Sequence, residues 1–486
     1  HGHFYQPPRE NPWINRIEHQ ESAAPAHDWN ERITSECYRA NCFSRRLDGY
    51  GRIDKIINNF SYLSYNVGPT LFMYLEQYHP DVYQRVLESD KESAGRFGGH
   101  GNAMAQVYNH VIMPLADKID QETQIKWGLA DFEHRFGRKA KGIWLAETAI
   151  NDAVVDMLID HGIEYTILSP HQAARVRYME SDKEKAARVA AAAEKAAKER
   201  EEKEKKGAGK KGAGKKDGGG SRGAGQAAGQ AAGQAAAKSY PWYDVSDGSL
   251  DPARAYRINR PGGRHLDVLF FDLHLSRAVS FEGLLRDASV FAERLYGAVR
   301  DVHEPQLLNI STDGETFGHH HAFGDMCIAA LMDEKAQAHG LTVTNPGQFL
   351  ERVPIRWEVQ LKDGYRNEGT AWSCSHGVGR WYRDCGCSTG GPEGWQQEWR
   401  TPLREGLDHL KDELRRVYLR HTRDWFHDPW AARNDWINVI LADYSDEARE
   451  EFFARNLKAD ADRMVRSDLC ALLEAQKYAM YMFTSC

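Results

Sequence analysis

The sequence has no run of about 18 consecutive apolar residues, the length that a membrane-spanning helix requires. It is also poor in cysteine, with eight in 486 residues, and these cysteines lack the dense, even spacing of a disulfide framework. A transmembrane protein and a disulfide-rich scaffold are therefore excluded. We expect a protein of a reducing compartment, the cytoplasm.

An excess of positive charge is missing as well, since the formal net charge is −7. Residues 182–238 carry 15 basic and 8 acidic side chains, a net of +7, so the rest of the chain carries −14. Because the rest of the chain is this acidic, we do not expect nucleic acid as a partner. Aromatic residues are plentiful, with 13 Trp, 21 Tyr and 18 Phe, and they can build the large core of a chain of two or three domains.

Residues 181–239 differ in composition from the sequence on either side. The part from Lys183 to Lys206 is rich in Ala, Glu, Lys and Arg and predicts a solvated helix. It is followed by two Gly-Ala-Gly-Lys-Lys repeats and by Gly-Gln-Ala-Ala units. Such a composition cannot bury a core, so we interpret this tract as a flexible insertion, with a weak contact to an anionic surface as the alternative.

Strand and helix patterns alternate on both sides of the insertion, which predicts one parallel α/β domain over residues 1–180 and 240–351. Residues 352–401 are rich in Trp, Gly and Cys and predict loops over an active site, and residues 402–486 predict a helical C-terminal domain. The predicted strands are Lys141–Glu147, Ile163–Ser169, Leu266–Leu275 and Leu307–Thr312. The predicted helices are Asp152–His161, Gly324–His339, Leu403–Phe426, Trp430–Ala442 and Ser445–Met482.

Two acidic residues follow apolar strands, Glu147 after Gly142-Ile143-Trp144-Leu145-Ala146 and Asp313 after Leu308-Asn309-Ile310-Ser311-Thr312. In an α/β barrel the active site lies at the C-terminal ends of the strands. Two carboxyl groups there, beside an exposed aromatic ring, suit glycosidic bond cleavage, in which one attacks and the other protonates the leaving oxygen. Helix capping by the same acids is the alternative.

Histidines form a second pattern. His1 and His3 flank Gly2, and three consecutive histidines, His319, His320 and His321, follow Asp313. Neutral imidazoles beside carboxylates can donate hydrogen bonds to sugar hydroxyls, bind a metal or serve the fold, and the sequence leaves these three readings open.

Four segments together resemble glycoside hydrolase family 57. The first, from His1 through Gln6-Pro7 to Pro12, resembles the first family motif, and Gly101-Asn102 through His110 to Leu115 resembles the second. Gly142–Ala149 resembles the third motif, which in the family carries the nucleophile, and Ser311–His320 resembles the fourth, which carries the acid/base. The motifs occur in the family's order, and the likeness covers nearly the whole chain outside residues 181–239.

The resemblance implies a (β/α)7 barrel with a helical domain beside it, acting on α-glucans with retention and without a cofactor. It implies that Glu147 is the nucleophile and Asp313 the acid/base, with carboxyl groups about 5–5.5 Å apart. Burial and the charge of Glu147 are expected to raise the pKa of Asp313. Further candidates for substrate binding are His1, His3, Gln6, His110, Trp144 (stacking on a sugar face), His319, Trp372, His376 and Trp381.

This sequence differs from the family motifs in two places. Phe4 and Tyr5 separate His3 from Gln6-Pro7, and His320 and His321 stand where the fourth motif has aromatic residues. We interpret the chain as an outlying branch with an additional C-terminal domain. We also expect that the strand preceding His1 is missing, which leaves an open seam in the barrel.

A Trp- and Cys-rich stretch between Trp372 and Cys387 forms the last constellation. Cys374, His376, Cys385 and Cys387 can form a Cys₃His zinc site, although a Cys-x-Cys spacing is tighter than usual. The preferred interpretation is a loop over the barrel mouth whose Trp372, His376 and Trp381 line the groove. Two other functions stay open: a metal-dependent α-mannosidase or deacetylase with His1, His3, Asp313 and a later histidine as ligands, and a non-catalytic glycan-binding protein.

Overall fold

The structure is a computed structural model that describes residues 1–14, 16–208, 240–388 and 390–485. Strands and helices alternate along most of the chain before residue 362. The strands are β1 (Gly2–Phe4), β2 (Glu10–Asn11), β3 (Arg16–Ile17), β4 (Ser44–Leu47), β5 (Ile53–Ile57), β6 (Tyr65–Val67), β7 (Ala105–Gln106), β8 (Gly142–Trp144), β9 (Tyr165–Leu168), β10 (Ala173–Tyr178), β11 (Tyr243–Asp244), β12 (Ala255–Asn259), β13 (His265–Phe270), β14 (Thr312–Asp313) and β15 (Trp357–Leu361).

The α-helices of the described ranges are of very different lengths. They are α1 (Trp29–Ile33), α2 (Arg39–Cys42), α3 (Pro69–Tyr78), α4 (Pro80–Arg96), α5 (Lys118–Phe136), α6 (Asp152–Asp160), α7 (Asp182–Ala208), α8 (Leu273–Phe281), α9 (Ala288–Ala298), α10 (Gly324–Ala330), α11 (Ala336–Ala338), α12 (Pro346–Arg352), α13 (Arg400–Thr422), α14 (Pro429–Asp435), α15 (Ile437–Leu441), α16 (Asp446–Asn456) and α17 (Arg463–Tyr481). None of them is both long and apolar enough to cross a lipid bilayer.

Seven strands form the predicted barrel, in the order β14, β1, β6, β7, β8, β9 and β13, and their ladders are parallel. A parallel bridge between Tyr65 and Ala103 joins β6 to the segment entering β7. β13 and β14 share no ladder within the described residues, and the segments beside them are joined by a hydrogen bond from the Asp272 amide to the Asn309 carbonyl, at 2.6 Å. β1, β6, β8 and β9 are buried throughout, as expected of parallel strands covered on both faces.

The expectation of a missing first strand is wrong. The residues directly after His1 are that strand, because β1 pairs with β14 on one side and with β6 on the other. Phe4 at its end is fully buried, and a Cβ atom added at Gly314 would lie 2.3 Å from its ring. Gly314 is therefore the residue that lets β14 turn against this strand.

The sheet continues beyond the barrel. β12 pairs antiparallel with β13, and β15, β10 and β11 extend the sheet from there. The predicted insertion lies between β10 and β11, and the predicted solvated helix is confirmed as α7, whose residues 184–187 are exposed. Residues 209–239, with most of the Gly-rich repeats, lie outside the described residues. The division of the chain into four domains stays a prediction.

All four predicted strands are shorter in the structure, and the cause can be named for two of them, those predicted over Leu266–Leu275 and Leu307–Thr312. The first ends at Phe270, because the Asp272 side chain accepts a hydrogen bond from the Leu275 amide and caps α8. The second has regular pairing only at Thr312–Asp313, because the backbone before it bonds to loops, as at Asn309.

The C-terminal helices pack on the barrel through α5. Arg433, 1% exposed, donates to Asp120 at 2.9 Å and to Thr123 at 2.7 Å. The prediction of one helical segment over Ser445–Met482 is wrong, because α16 and α17 are separate. Between them, the Lys458 amide donates to the Trp425 carbonyl rather than to its own helix.

Candidate active site

Glu147 lies just beyond the C-terminal end of β8, in a short turn over Ala146–Thr148. Its φ is 57° and that of Thr148 is 52°, both in the left-handed region, which is costly for residues other than glycine. The turn is held by the Gln172 side chain, whose Nε2 donates to the Thr148 carbonyl at 2.8 Å, and by the backbone amide of Trp372, which donates to the Glu147 carbonyl at 3.0 Å. Backbone strain held by such contacts is typical of functional positions.

Two donors hold the Glu147 carboxylate, and both lie on Oε2. Trp372 Nε1 donates at 2.9 Å and Ser373 Oγ at 2.5 Å. Because hydrogen bonds to an ionised acceptor are the strong ones, these two contacts stabilise the negative charge and fix the plane of the carboxylate.

Asp313 ends β14, where it pairs with His3, and it lines the same cavity as Glu147. The cavity has a volume of about 770 Å³. The Asp313 side chain is exposed on the side of the cavity, while protein atoms surround it on its other sides. This burial, and next the charge of Glu147, raise the pKa of Asp313 to about 6.

A third acid, Glu315, is buried beside Asp313. Tyr38 donates its hydroxyl to Glu315 Oε1 at 2.6 Å, and Gln6 donates to the Tyr38 oxygen at 3.0 Å. Burial raises the pKa of Glu315 to about 7, with the charge of Asp313 adding to the rise. Gln6, predicted to bind substrate, thus supports the site from a buried position.

Three of the histidines predicted to bind substrate form one aromatic stack with Trp144. His1 lies on the Trp144 ring at 4.7 Å between ring centres, His3 at 5.4 Å, and His110 lies 5.1 Å from His3. Asn66 binds both His1 and His3, at 3.0 Å and 2.9 Å. His3 Nε2 and His110 Nε2 are 3.0 Å apart, a hydrogen bond that needs at least one neutral ring.

None of these four rings is among the cavity-lining residues, and Trp144 packs edge-on against Trp372, which is one of them. Burial lowers the pKa of His3 to about 4, and burial followed by the charge of His3 lowers the pKa of His110 well below its usual range. Trp144 is 0% exposed, so the prediction of an exposed ring that stacks on sugar is corrected: His1, His3 and Trp372 cover it. Contact of the three histidines with substrate stays a prediction.

The remaining candidates divide into two groups. Trp372 and Trp381 line the cavity as predicted. His319 instead binds Glu36 at 2.5 Å, and His376 approaches Cys387 Sγ at 3.3 Å; neither is among the cavity-lining residues. His319 and His376 were predicted to bind substrate because they are close in sequence to Asp313 and Trp372. Asp313 and Trp372 line the cavity, but this closeness in sequence does not bring the two histidines to it.

Sequence reasoning missed other residues of the cavity wall. Phe271 follows β13 as Glu147 follows β8, so the strand-end rule that indicated Glu147 also applies to Phe271. Further lining residues come from α8, from the loop after Trp372 and from the start of α13, among them Arg277, Phe281, Ser373, Arg380 and Arg400.

The ligand set suggested for a metal-dependent enzyme is not brought together. The His1 ring nitrogens face Ser64 and Asn66, and those of His3 face Asn66 and His110. Within the described ranges, the group of His, Cys, Asp and Glu side chains arranged to hold a metal ion is a different one, Cys374, His376, Cys385 and Cys387.

Comparisons with known proteins agree with this geometry. The sequence profile described as "Glycosyl hydrolase family 57" matches residues 23–194 and 230–362, and a profile described as "Domain of unknown function (DUF3536)" matches residues 395–486. No curated protein matches the chain by sequence.

Similar solved structures share the fold. An exo-type maltose-forming amylase from Pyrococcus sp. ST04 superposes with a TM-score of 0.62 at 14% identity, over 100% of this chain and 74% of that one. GH57-type branching enzymes from Pyrococcus horikoshii and Thermococcus kodakaraensis each give a TM-score of 0.50 at 13% identity, over 99% of this chain and 95% of theirs. The predicted barrel with a helical region beside it is confirmed.

Proposed function

The chain belongs to glycosyl hydrolase family 57, and from that premise we propose that it cleaves α-glucans by double displacement, with Glu147 as nucleophile and Asp313 as acid/base. The observation that carries the proposal is one cavity lined by both carboxyl groups at the C-terminal ends of barrel strands. The resemblance to an amylase and to branching enzymes supports an α-glucan as the substrate.

Glu147 attacks the anomeric carbon. Because Trp372 and Ser373 both donate to Oε2, we assign the attack to Oε1. The two donors hold the carboxylate in one orientation, so little freedom is lost when the substrate reaches the attack geometry.

Asp313 protonates the leaving oxygen and then deprotonates the acceptor. With a pKa of about 6 it holds its proton in free enzyme at mildly acidic pH. Once Glu147 becomes a glycosyl ester its charge is gone, so one cause of the raised pKa disappears and Asp313 becomes a weaker acid. This change suits the switch from acid to base between the two steps.

The cavity wall suits a polyhydroxylated chain. Phe281 and Trp381 present aromatic surface, to which the apolar faces of sugar rings can bind. Arg380 and Arg400 present guanidinium groups that donate to hydroxyl oxygens.

The test of the function is incubation of the chain with α-1,4-linked maltooligosaccharides of defined length. Shorter products alone indicate hydrolysis, and longer products together with shorter ones indicate transfer. The absence of any product, with these and with branched glucans, would contradict the proposal.

Replacing Trp372 with phenylalanine is expected to lower kcat/KM about 10- to 100-fold. The substitution keeps an aromatic ring but removes the Nε1–H that donates to Glu147, and a hydrogen bond to a charged group contributes about 1.5–3 kcal/mol. The matched control is Trp381→Phe, because Trp381 lines the same cavity and its ring lies against the Arg380 guanidinium. Equal losses in the two variants would contradict the role of Trp372.

We expect kcat/KM to fall about tenfold for each pH unit above pH 6. The protonated form of Asp313 is the active one for the first step, and it predominates below the pKa, so activity is lost as the pH rises through that value. The measurement is kcat/KM between pH 4 and 9 for wild type and for Glu315→Gln, which keeps Asp313 and should keep the decline. A flat profile from pH 6 to 8 would contradict the assignment.

A further inference from the structure

Four potential metal ligands converge outside the cavity wall, on the loop that follows Trp372. Cys374 Sγ lies 3.8 Å from Cys385 Sγ and 3.7 Å from Cys387 Sγ, and His376 Nδ1 lies 3.3 Å from Cys387 Sγ. All four ligand atoms lie within 4.8 Å of one another. Cys374 is 4% exposed, so the cluster is anchored in the interior on one side and open on the other.

The two Sγ–Sγ distances, 3.8 Å and 3.7 Å, are those of a tetrahedral site. With a Zn–S bond of about 2.3 Å, two sulfurs of a tetrahedron are about 3.8 Å apart. A disulfide would place them at about 2.05 Å, and the three cysteines carry free thiols. Three thiols and one imidazole form a Cys₃His set, which is closed to substrate and therefore structural.

The tight Cys-x-Cys spacing is explained by Gly386. Its φ is 82°, in the left-handed region that glycine adopts without a steric penalty. This turn directs Cys385 and Cys387 toward the same point, although only one residue separates them. The tight Cys-x-Cys spacing is therefore compatible with both cysteines binding one metal ion.

The loop held by the cluster carries the donors to Glu147. Cys374 directly follows Trp372 and Ser373, and Arg380 Nη1 donates to the Ser373 carbonyl at 2.9 Å. Arg380 and Trp381, between the two halves of the ligand set, line the cavity. Most residues of 384–388 and 390–399 are exposed, so this stretch has few buried apolar contacts of its own.

We propose that Cys374, His376, Cys385 and Cys387 bind one structural Zn²⁺, which holds Trp372 and Ser373 against the Glu147 carboxylate. The ion takes no part in bond cleavage. The binding of zinc is independent of the proposed function, and only its effect on catalysis rests on it.

The test is the zinc content of the purified chain, prepared under reducing conditions and measured by elemental analysis. We expect one zinc per chain in wild type, and a content near zero in Cys387→Ser and in His376→Ala. The matched control is Cys470→Ser, on α17, which should keep one zinc. Cobalt substitution gives a second readout in wild type, because tetrahedral thiolate ligation produces characteristic visible absorption.

The effect on catalysis is measured on the same samples. We expect kcat/KM to fall about 10- to 100-fold in Cys387→Ser, as in Trp372→Phe, and to fall in wild type after chelation and return with added Zn²⁺. Chelation avoids dependence on a variant that fails to fold, and circular dichroism checks the fold of each variant. Zinc loss without a change in kcat/KM would overturn the positioning role.

Other outcomes separate the two proposals. A wild-type chain that holds no zinc or cobalt, a disulfide among the three cysteines, or zinc retained in Cys387→Ser would overturn the metal site. A chain that holds one zinc, loses it in Cys387→Ser and converts no glucan in either form would support the metal site and contradict the proposed function.

Discussion

Replacing Glu147 with glutamine is expected to lower kcat on maltooligosaccharides by about 10⁴-fold or more, because an amide oxygen does not form the glycosyl ester. Glutamine has nearly the same size, and its carbonyl oxygen can still accept from Trp372 and Ser373. The fold and substrate binding should therefore persist. The measurement is product formation resolved by chain length, beside a thermal melt of each protein.

The matched control is Glu164→Gln, since this side chain is 61% exposed and lies at the opposite end of β9 from the catalytic ends of the strands. It should keep full activity. A second variant, Glu147→Gly, tests the role directly: an added azide ion attacks from the vacated face and gives a product of inverted configuration. Full activity of Glu147→Gln would overturn the assignment.

Replacing Asp313 with asparagine is expected to lower kcat/KM on maltooligosaccharides about 10²- to 10⁴-fold, because the leaving sugar oxygen then departs without a proton. α-Glucosyl fluoride, whose leaving group needs no proton, should lose far less in the first step. The comparison of the two substrates is the measurement. The fall in kcat/KM above pH 6 should also vanish in this variant.

Asp301→Asn is the matched control, since Asp301 is exposed in a loop and is not among the cavity-lining residues. It should behave as wild type with both substrates. An equal loss on the oligosaccharide and on the fluoride would indicate that Asp313 serves the fold or substrate binding, and would contradict its role as acid.

The strand-end rule placed Glu147 and Asp313 at one cavity, as the structure shows, because it depends on local sequence. An apolar strand followed by an acid can be read from Gly142–Glu147 alone, and parallel strands bring such ends to one side of the barrel. The same rule indicates Phe271. The lengths of the strands were not predicted correctly from the apolar pattern. The helix cap at Asp272 and the pairing of Thr312 are decided by neighbouring segments.

Trp144 shows where local sequence reasoning ends. Its place beside Glu147 suggested a sugar platform, but the rings that cover it come from His1, His3 and Trp372, which are distant in sequence. No pattern around residue 144 records these contacts. Burial of a side chain is a property of the packed chain.

By itself, the sequence determined the family, the barrel and the two acids proposed for catalysis, because each rests on short ordered motifs that carry their own strand and turn signals. Only the tertiary structure decided which side chains reach those acids. The donors to Glu147 lie 225 and 226 residues further along the chain, and Cys385 and Cys387 reach Cys374, next to Ser373, on either side of a backbone turn at Gly386. Such contacts depend on how distant segments pack, since a hydrogen bond forms only over a few ångströms.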